Sequence, residues 1–443
     1  MVVALLLACA PVPPEPLQLT VIDSELPSVP HLQWSPPDPA TVHWVDPSSG
    51  DRYTRTDALP PLPLVGLPAG HPVELQVHTA TGHGELDHTV AAAPALLDDL
   101  TVLADDDAQA SDGLLLANVY LRREQQGYLA AFDGHGRLRW WQPSPHGRKP
   151  IRARLHGDEV LWGVTGWSQE EGMGLLGSTR LDGTATTEVA APGLHHEVVP
   201  TDDGWLYLAY EVDPETSIGL LPGQPTAADV LRTVDPSDGT LVDGFSYFDD
   251  YPLAPYSPCN HAQLPSFFPG VVEFTHTNSL VPFDDGWLLL PRYLDALVFV
   301  RDDRFVWQAG GRGGTLVAGS DDAEVLHGHF TEAFGDRALV FDNGSHGDRA
   351  SRVVELQLLP DEGRYDAVWW AEHPDGDYID FLGDARRLPG GHTLVAWSPQ
   401  GRVDELRDDG SVAWSLQLHT PDVVIGRIEW HPELPGAWPR SGG

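Results

Sequence analysis

Histidine and arginine recur at one place in this chain. His195 and His196 stand in GLHHEVVPTDDGW, His276 in EFTHTNSLVPFDDGW and His329 in LHGHFTEAFGDRALVF, each shortly before the turn that opens a strand. Arg292 stands at the far end of the strand that follows His276, in GWLLLPRYLD. A single histidine so placed reads as a tie between neighbouring strands. Three in consecutive repeats, with a guanidinium nearby, carry a like-charge cost that a purely structural site would avoid. These residue types suit the handling of an anion. A neutral imidazole is a nucleophile that splits a transfer into two displacements, a protonated one donates to charge building on a departing oxygen, and arginine offers a planar fork to oxyanions.

The elements that must position these groups are strands. Gly (45) and Pro (40) punctuate the chain so often that few helix-length stretches remain. From about residue 100 a unit recurs: an Asp or Gly turn, an apolar strand, a second strand, a turn such as Asp-Gly, and a Trp- or Val-rich strand. It begins with SDGLLLANVY and GYLAAFDGHGRLRWW and ends with PGGHTLVAWSPQGRVDELRDDGSVAWSLQL. Six such units predict an all-β, six-bladed β-propeller over 100–443, because one sheet alone cannot cover both its faces. DVVIGRIEWHPEL (422–434) reads as one more strand that completes an early blade and closes the ring. Residues 17–92 alternate apolar and polar positions in short runs and predict a small β-sandwich, fibronectin type III-like, with Trp34 and Trp44 in its core.

The formal charge is −39, and Lys149 is the lone lysine among 26 cationic side chains. Such a surface repels nucleic acid and anionic lipid, so neither is an expected partner. Residues 1–16 are a short apolar run ending at Leu6-Leu7-Ala8-Cys9 and a proline-rich linker. The run is too short to span a bilayer, and it resembles the lipobox of bacterial lipoproteins. That implies a lipid on Cys9, a membrane contact only through that anchor, and an exported protein, periplasmic or on the outer membrane or cell surface. With Cys9 lipidated, Cys259 has no partner for an intramolecular disulfide. The acidic runs Asp105-Asp106-Asp107 and Asp375-Gly376-Asp377 are expected turns at this composition, so no metal is predicted. Cys259-Asn260-His261 lies in a proline- and aromatic-rich stretch (251–270) that reads as a long loop or a lid. No glycine-rich phosphate loop or serine nucleophile motif is present.

Residues 100–420 resemble the aryl-sulfate sulfotransferase family, most strongly over 273–357. The family's aspartate, tryptophan, any residue, histidine, any residue, asparagine, serine motif corresponds to Glu273-Phe274-Thr275-His276-Thr277-Asn278-Ser279. Its serine-arginine strand end corresponds to Pro291-Arg292, and its phenylalanine-aspartate-asparagine-glycine run to Phe341-Asp342-Asn343-Gly344. The resemblance implies transfer of a sulfuryl group from a phenolic sulfate to a phenol through a sulfohistidine, with no cofactor. It implies His329 as nucleophile, His276 and Arg292 as the sulfate-binding pair, and His196 as the remaining catalytic histidine. His195, Asn278, His327 and Asn343 follow as substrate-binding residues, and the strand between His276 and Arg292 is expected to span the site.

The chain also departs from the family pattern. Gly328 stands where glutamine precedes the nucleophile, Phe330-Thr331-Glu332 where aspartate-alanine-arginine follows it, and Tyr293 where histidine is common. His327 is an alternative nucleophile, and Glu332 would oppose an anion. Two other readings stay open: a variant that passes the sulfuryl group to water, and a surface propeller that binds an anionic or phenolic ligand, or a protein, in the same funnel.

Overall fold

Apolar residues in short alternating runs bounded by turns fold here into sheets, with helices of a single turn between them. The computed structural model describes residues 15–47, 50–124, 126–165, 173–214, 225–252, 271–344 and 349–435. Cys9 with its apolar run, and the Cys259-Asn260-His261 loop, lie outside the described residues. Among the described residues no helix is long and apolar enough to cross a membrane. The chain divides into two compact units, one ending at Ala92 and one covering Ala93–Pro435.

In the first unit a five-stranded sheet runs in the order Glu15–Pro16, Gly82–Thr89, Pro72–Thr79, Ala40–Val45, Arg52–Ala58. A three-stranded sheet joins Gln18–Ile22, His31–Ser35 and Leu62–Pro63. Leu32 and Trp34 from one sheet share a core with Val42, Trp44, Leu75 and Val77 from the other. Ala40–Val45 buries every second residue, as a strand with one covered face must.

The second unit is propeller-like. Among the described residues it holds six mainly antiparallel sheets, each with one strand at the inner edge. In chain order the inner strands are Pro150–His156, Leu194–Thr201, Thr277–Phe283, Phe330–Phe334, Asp384–Arg387 and Val423–His431. Each packs beside the inner strands before and after it, and the cycle closes between the last and the first. Sheets covered on both faces read as continuous apolar runs, and Leu114–Leu121 accordingly buries six successive residues. Both ends of the unit lock it. Leu100–Ala104 joins the outer edge of the last sheet, while Val423–His431 pairs with Leu114–Leu121 in the first. The second pairing is the one expected for residues 422–434.

The two acidic runs serve arginines. Asp105 and Asp107 hold the Arg407 guanidinium at 2.6 Å, and Asp375 contacts Arg402 at 2.6 Å.

Candidate functional site

Four of the six inner strands named above carry a left-handed histidine or leucine near their start. His196, His276 and His327 have φ of 53°, 51° and 55°, and Leu382 has 61°. Such a conformation costs a non-glycine residue roughly 1–2 kcal/mol. The strand pairing slips by a bulge at the same place, between His195 and Val198 and between Thr277 and Leu280.

Three imidazoles meet there. The His196 ring lies 4.8 Å from that of His276 and 5.5 Å from that of His329, both edge to face. Each ring is held by Nδ1. His329 Nδ1 is 3.0 Å from the Gly383 carbonyl oxygen, to which it donates. His276 Nδ1 is 2.6 Å from Glu273 Oε1, and His196 Nδ1 is 2.8 Å from His195 Nδ1. With Nδ1 committed, Nε2 is the nitrogen each ring can offer to a ligand. Burial holds His196 well below the usual histidine range, with His276, His195, His329 and Arg427 adding to the shift. Burial, then Arg427 and Arg292, does the same to His329. Both rings are therefore neutral near pH 7.

His195 is the buried support of this group. It stacks on Tyr210 at 4.0 Å, and its Nε2 stands 3.1 Å from Asp229 Oδ1, close enough for charge pairing although off the line of an ideal N–H bond. Burial alone would raise the Asp229 carboxyl, but His195, Thr277 and Thr275 together hold it below its ordinary value. Thr275 Oγ1 donates to Asp229 Oδ2 at 2.7 Å.

Arg292 corrects one expectation. Thr277–Phe283 and Gly286–Pro291 form a hairpin, so the chain does not span the site between His276 and Arg292 but returns to it. The Arg292 backbone N–H donates to the His276 carbonyl at 3.0 Å. Its Nη1 donates to Asn343 Oδ1 at 3.2 Å and its Nη2 to the Asp380 carbonyl at 3.0 Å. Burial lowers the guanidinium from its usual value.

The other candidates separate. His327 packs against Tyr293, with ring centroids 5.9 Å apart, and its backbone N–H donates to Asp295 Oδ1 at 2.7 Å; the ring that meets His196 is that of His329. Tyr293 reaches the His276 ring at 5.3 Å from the other side. The amide groups of the two asparagines bond backbone: Asn278 Nδ2 donates to Gly328 O at 3.1 Å, and Asn343 Nδ2 to Ile379 O at 2.8 Å and Leu382 O at 3.0 Å. Among the described residues, Asn278 Oδ1 is a buried acceptor without a protein donor. Glu332 accepts from the Arg387 backbone N–H at 2.7 Å, and burial raises its carboxyl, which weakens the opposition to an anion expected of it.

Sequence reasoning missed Arg427 and Asp229. Arg427 is 2% exposed; its Nη1 lies 3.4 Å from His329 Nδ1 and donates to His329 O at 3.3 Å, and its Nη2 donates to Asn278 O. Burial pulls it down to about 10, against Asp384 and Glu197, so it keeps its charge at neutral pH. Other ions lie around it: Arg152 and Glu197, from two other inner strands, pair at 3.1 Å (Nε to Oε1), and Arg152 Nη2 is 2.6 Å from Oε1 of Glu429, on the same strand as Arg427. The available signal was a charge set among apolar residues, as Arg427 in VVIGRI and Asp229 in TAADVL.

No family model matches the chain, and no curated protein matches it either. Many solved structures do align. A protein of unknown function from Bacteroides caccae aligns with TM-score 0.42 and 13% identity, covering 72% of this chain and 98% of that one. A chain of a nidogen–laminin complex gives TM-score 0.39 and 11% identity, covering 72% and 97%. Virginiamycin B lyase from Staphylococcus aureus gives TM-score 0.35 and 9% identity, covering 71% and 87%.

Proposed function

We propose that this protein is an aryl-sulfate sulfotransferase: a six-bladed propeller that moves a sulfuryl group from a phenolic sulfate to a phenol, preceded by a fibronectin type III-like sandwich. The observation that carries this reading is the meeting of His196, His276 and His329, each held by Nδ1, beside the guanidinium of Arg427. His329 Nε2 attacks sulfur, the bond from sulfur to the phenolic oxygen breaks, and the phenolate leaves with a proton from a neighbouring histidine. The acceptor phenol then attacks sulfur, the nitrogen–sulfur bond breaks, and the phenol's proton passes to an imidazole. His276 and Arg292 are read as holding the sulfate oxygens. The proposal includes an exported protein lipidated on Cys9.

The test mixes the protein with 4-nitrophenyl sulfate and a phenol acceptor and records intact mass during turnover. A gain of one sulfuryl group that is lost in His329→Ala and kept in His327→Ala is the expected result. No release of 4-nitrophenol and no adduct, from a protein with intact strand circular dichroism, would favour the ligand-binding propeller instead. Release without a sulfated acceptor would favour transfer to water.

A further inference from the structure

Resting on that reading, we infer that His195 and Asp229 form a proton relay behind His196, which makes His196 the group that protonates the leaving phenolate and later deprotonates the acceptor. The inference stands on three successive contacts: Asp229 Oδ1 to His195 Nε2 as a charge pair at 3.1 Å, His195 Nδ1 to His196 Nδ1 at 2.8 Å, and the His196 ring against those of His276 and His329. Two Nδ1 atoms so close require one donor and one acceptor, so a single proton decides the tautomer of both rings.

In the neutral pair, His195 keeps its hydrogen on Nε2 toward Asp229. Its Nδ1 lone pair then accepts the Nδ1–H of His196, and His196 Nε2 bears a lone pair. With one more proton, His195 carries hydrogen on both nitrogens and donates Nδ1–H to His196, whose own hydrogen now sits on Nε2. The pair thus switches the outer nitrogen of His196 from acceptor to donor without placing a net charge on His196. This suits a ring that burial keeps from charging. His195 is where the charge belongs, because Asp229 stands at its far nitrogen and Tyr210 stacks on its face. The other ionisable groups facing the pair are His276, His329, Arg427 and Glu273, and the relay needs none of them to change charge.

The chemical step balances. As the bond from sulfur to oxygen breaks, the departing phenolate takes the Nε2 hydrogen of His196, and His196 Nδ1 takes the Nδ1 hydrogen of His195. His195 is left neutral with its Nε2–H still toward Asp229. In the second half the acceptor phenol gives its proton to His196 Nε2, and the pair returns to its charged state by the reverse path. His195 and Asp229 touch no reacting atom in this scheme; they are positioning residues.

The test is the dependence on the leaving group. For Asp229→Asn and His195→Gln, the first half-reaction is isolated as the single-turnover rate of phenol release without acceptor, with 4-nitrophenyl sulfate, whose phenolate leaves without help, and with phenyl sulfate, whose phenolate needs a proton. The expected loss is about 100-fold with phenyl sulfate and below about threefold with 4-nitrophenyl sulfate, with the sulfohistidine adduct still forming from the latter. Equal losses with both donors, while the wild type transfers normally, would overturn the relay and leave the proposed function standing. Absence of transfer from the wild type would instead remove the function. Nitrogen-15 NMR of the imidazoles in the wild type judges the relay without turnover. His196 Nε2 should change from a bare nitrogen to an N–H together with the gain of hydrogen on His195 Nδ1 as acid is added. A His196 Nε2 signal unchanged through that titration would sink the relay even if transfer is efficient.

Discussion

Histidines cluster in both units of this protein, and the two clusters differ in every respect except closeness. In the first unit the His43 and His78 rings are 5.7 Å apart and those of His78 and His83 are 6.4 Å apart. His78 and His83 are exposed and His43 is half-buried, with its Nδ1 2.7 Å from Thr54 Oγ1. In the second unit the rings lie at the inner edges of adjacent sheets, three of them anchored through Nδ1 and set beside arginine. The difference is that in the second cluster one nitrogen of each of three rings is fixed and the rings are largely shielded from water, the two conditions that the proposed chemistry needs. Without both, the tautomers are free and the charges are screened.

That contrast depends on the closed cycle of inner strands, and the sharpest way to break it is at the closure. Ile428 is fully buried in the last inner strand, and its backbone N–H donates to Asp384 Oδ2 at 2.9 Å. An added carboxylate here would be buried next to an existing one. The cost, several kcal/mol, is a large part of the roughly 5–15 kcal/mol that holds a typical fold. Ile428→Asp is expected to abolish the unfolding transition of the second unit in calorimetry and, with it, the sulfuryl transfer proposed for that unit. The first unit has its own core and should keep its transition. Retention of the second transition would mean that the closing strand is not needed to hold the cycle.

The all-β pattern and the repeat units were legible because alternation and turn residues are local signals. The stretch 422–434 was legible as a strand for the same reason. The histidine positions were visible as well, since they recur at one place in the repeat. Their left-handed backbone was not visible, because histidine, although enriched at positive φ, still adopts a negative φ in the large majority of cases. The hairpin that returns Arg292 to His276 was misjudged by counting one strand where the Asp284-Asp285 turn makes two. Arg427 is 98 residues from His329. Only the order of strands around the cycle brings them together, and sequence spacing carries no record of that.

A smaller effect sharpens the comparison through pH. His196 and His329 are held well below the unfolded value of 6.5 by burial first and then by their charged neighbours. The unfolded chain therefore binds protons that the folded one refuses. The stability these rings contribute is complete above about pH 6.5 and is lost as pH falls below it, toward their depressed folded values. One pH unit below 6.5 each costs up to about 1.4 kcal/mol, so the pair should remove roughly 2–3 kcal/mol from the second unit by about pH 5.5. Glu332 and Asp384 are raised by burial and act in the opposite direction, so the comparison is made against the double variant His196→Gln/His329→Gln. Chemical denaturation at pH 7.5 and 5.5 should show a smaller loss in the variant. An unchanged slope would mean that these rings take up protons in the folded protein.

The smallest effect is expected where the first cluster is removed. His43→Gln/His78→Ala/His83→Ala deletes two exposed rings and one half-buried ring whose described polar bond runs to a threonine hydroxyl. Exposed substitutions usually stay within about 0.5 kcal/mol, and the lost Thr54 bond adds about 1 kcal/mol at most. The acid slope of the second unit and its transfer rate should be unchanged within error. A loss of transfer in this variant would mean that imidazoles without burial or a fixed tautomer can serve the reaction. In that case the anchoring of His196, His276 and His329 would be a packing consequence of the inner strands rather than the condition that makes them a site.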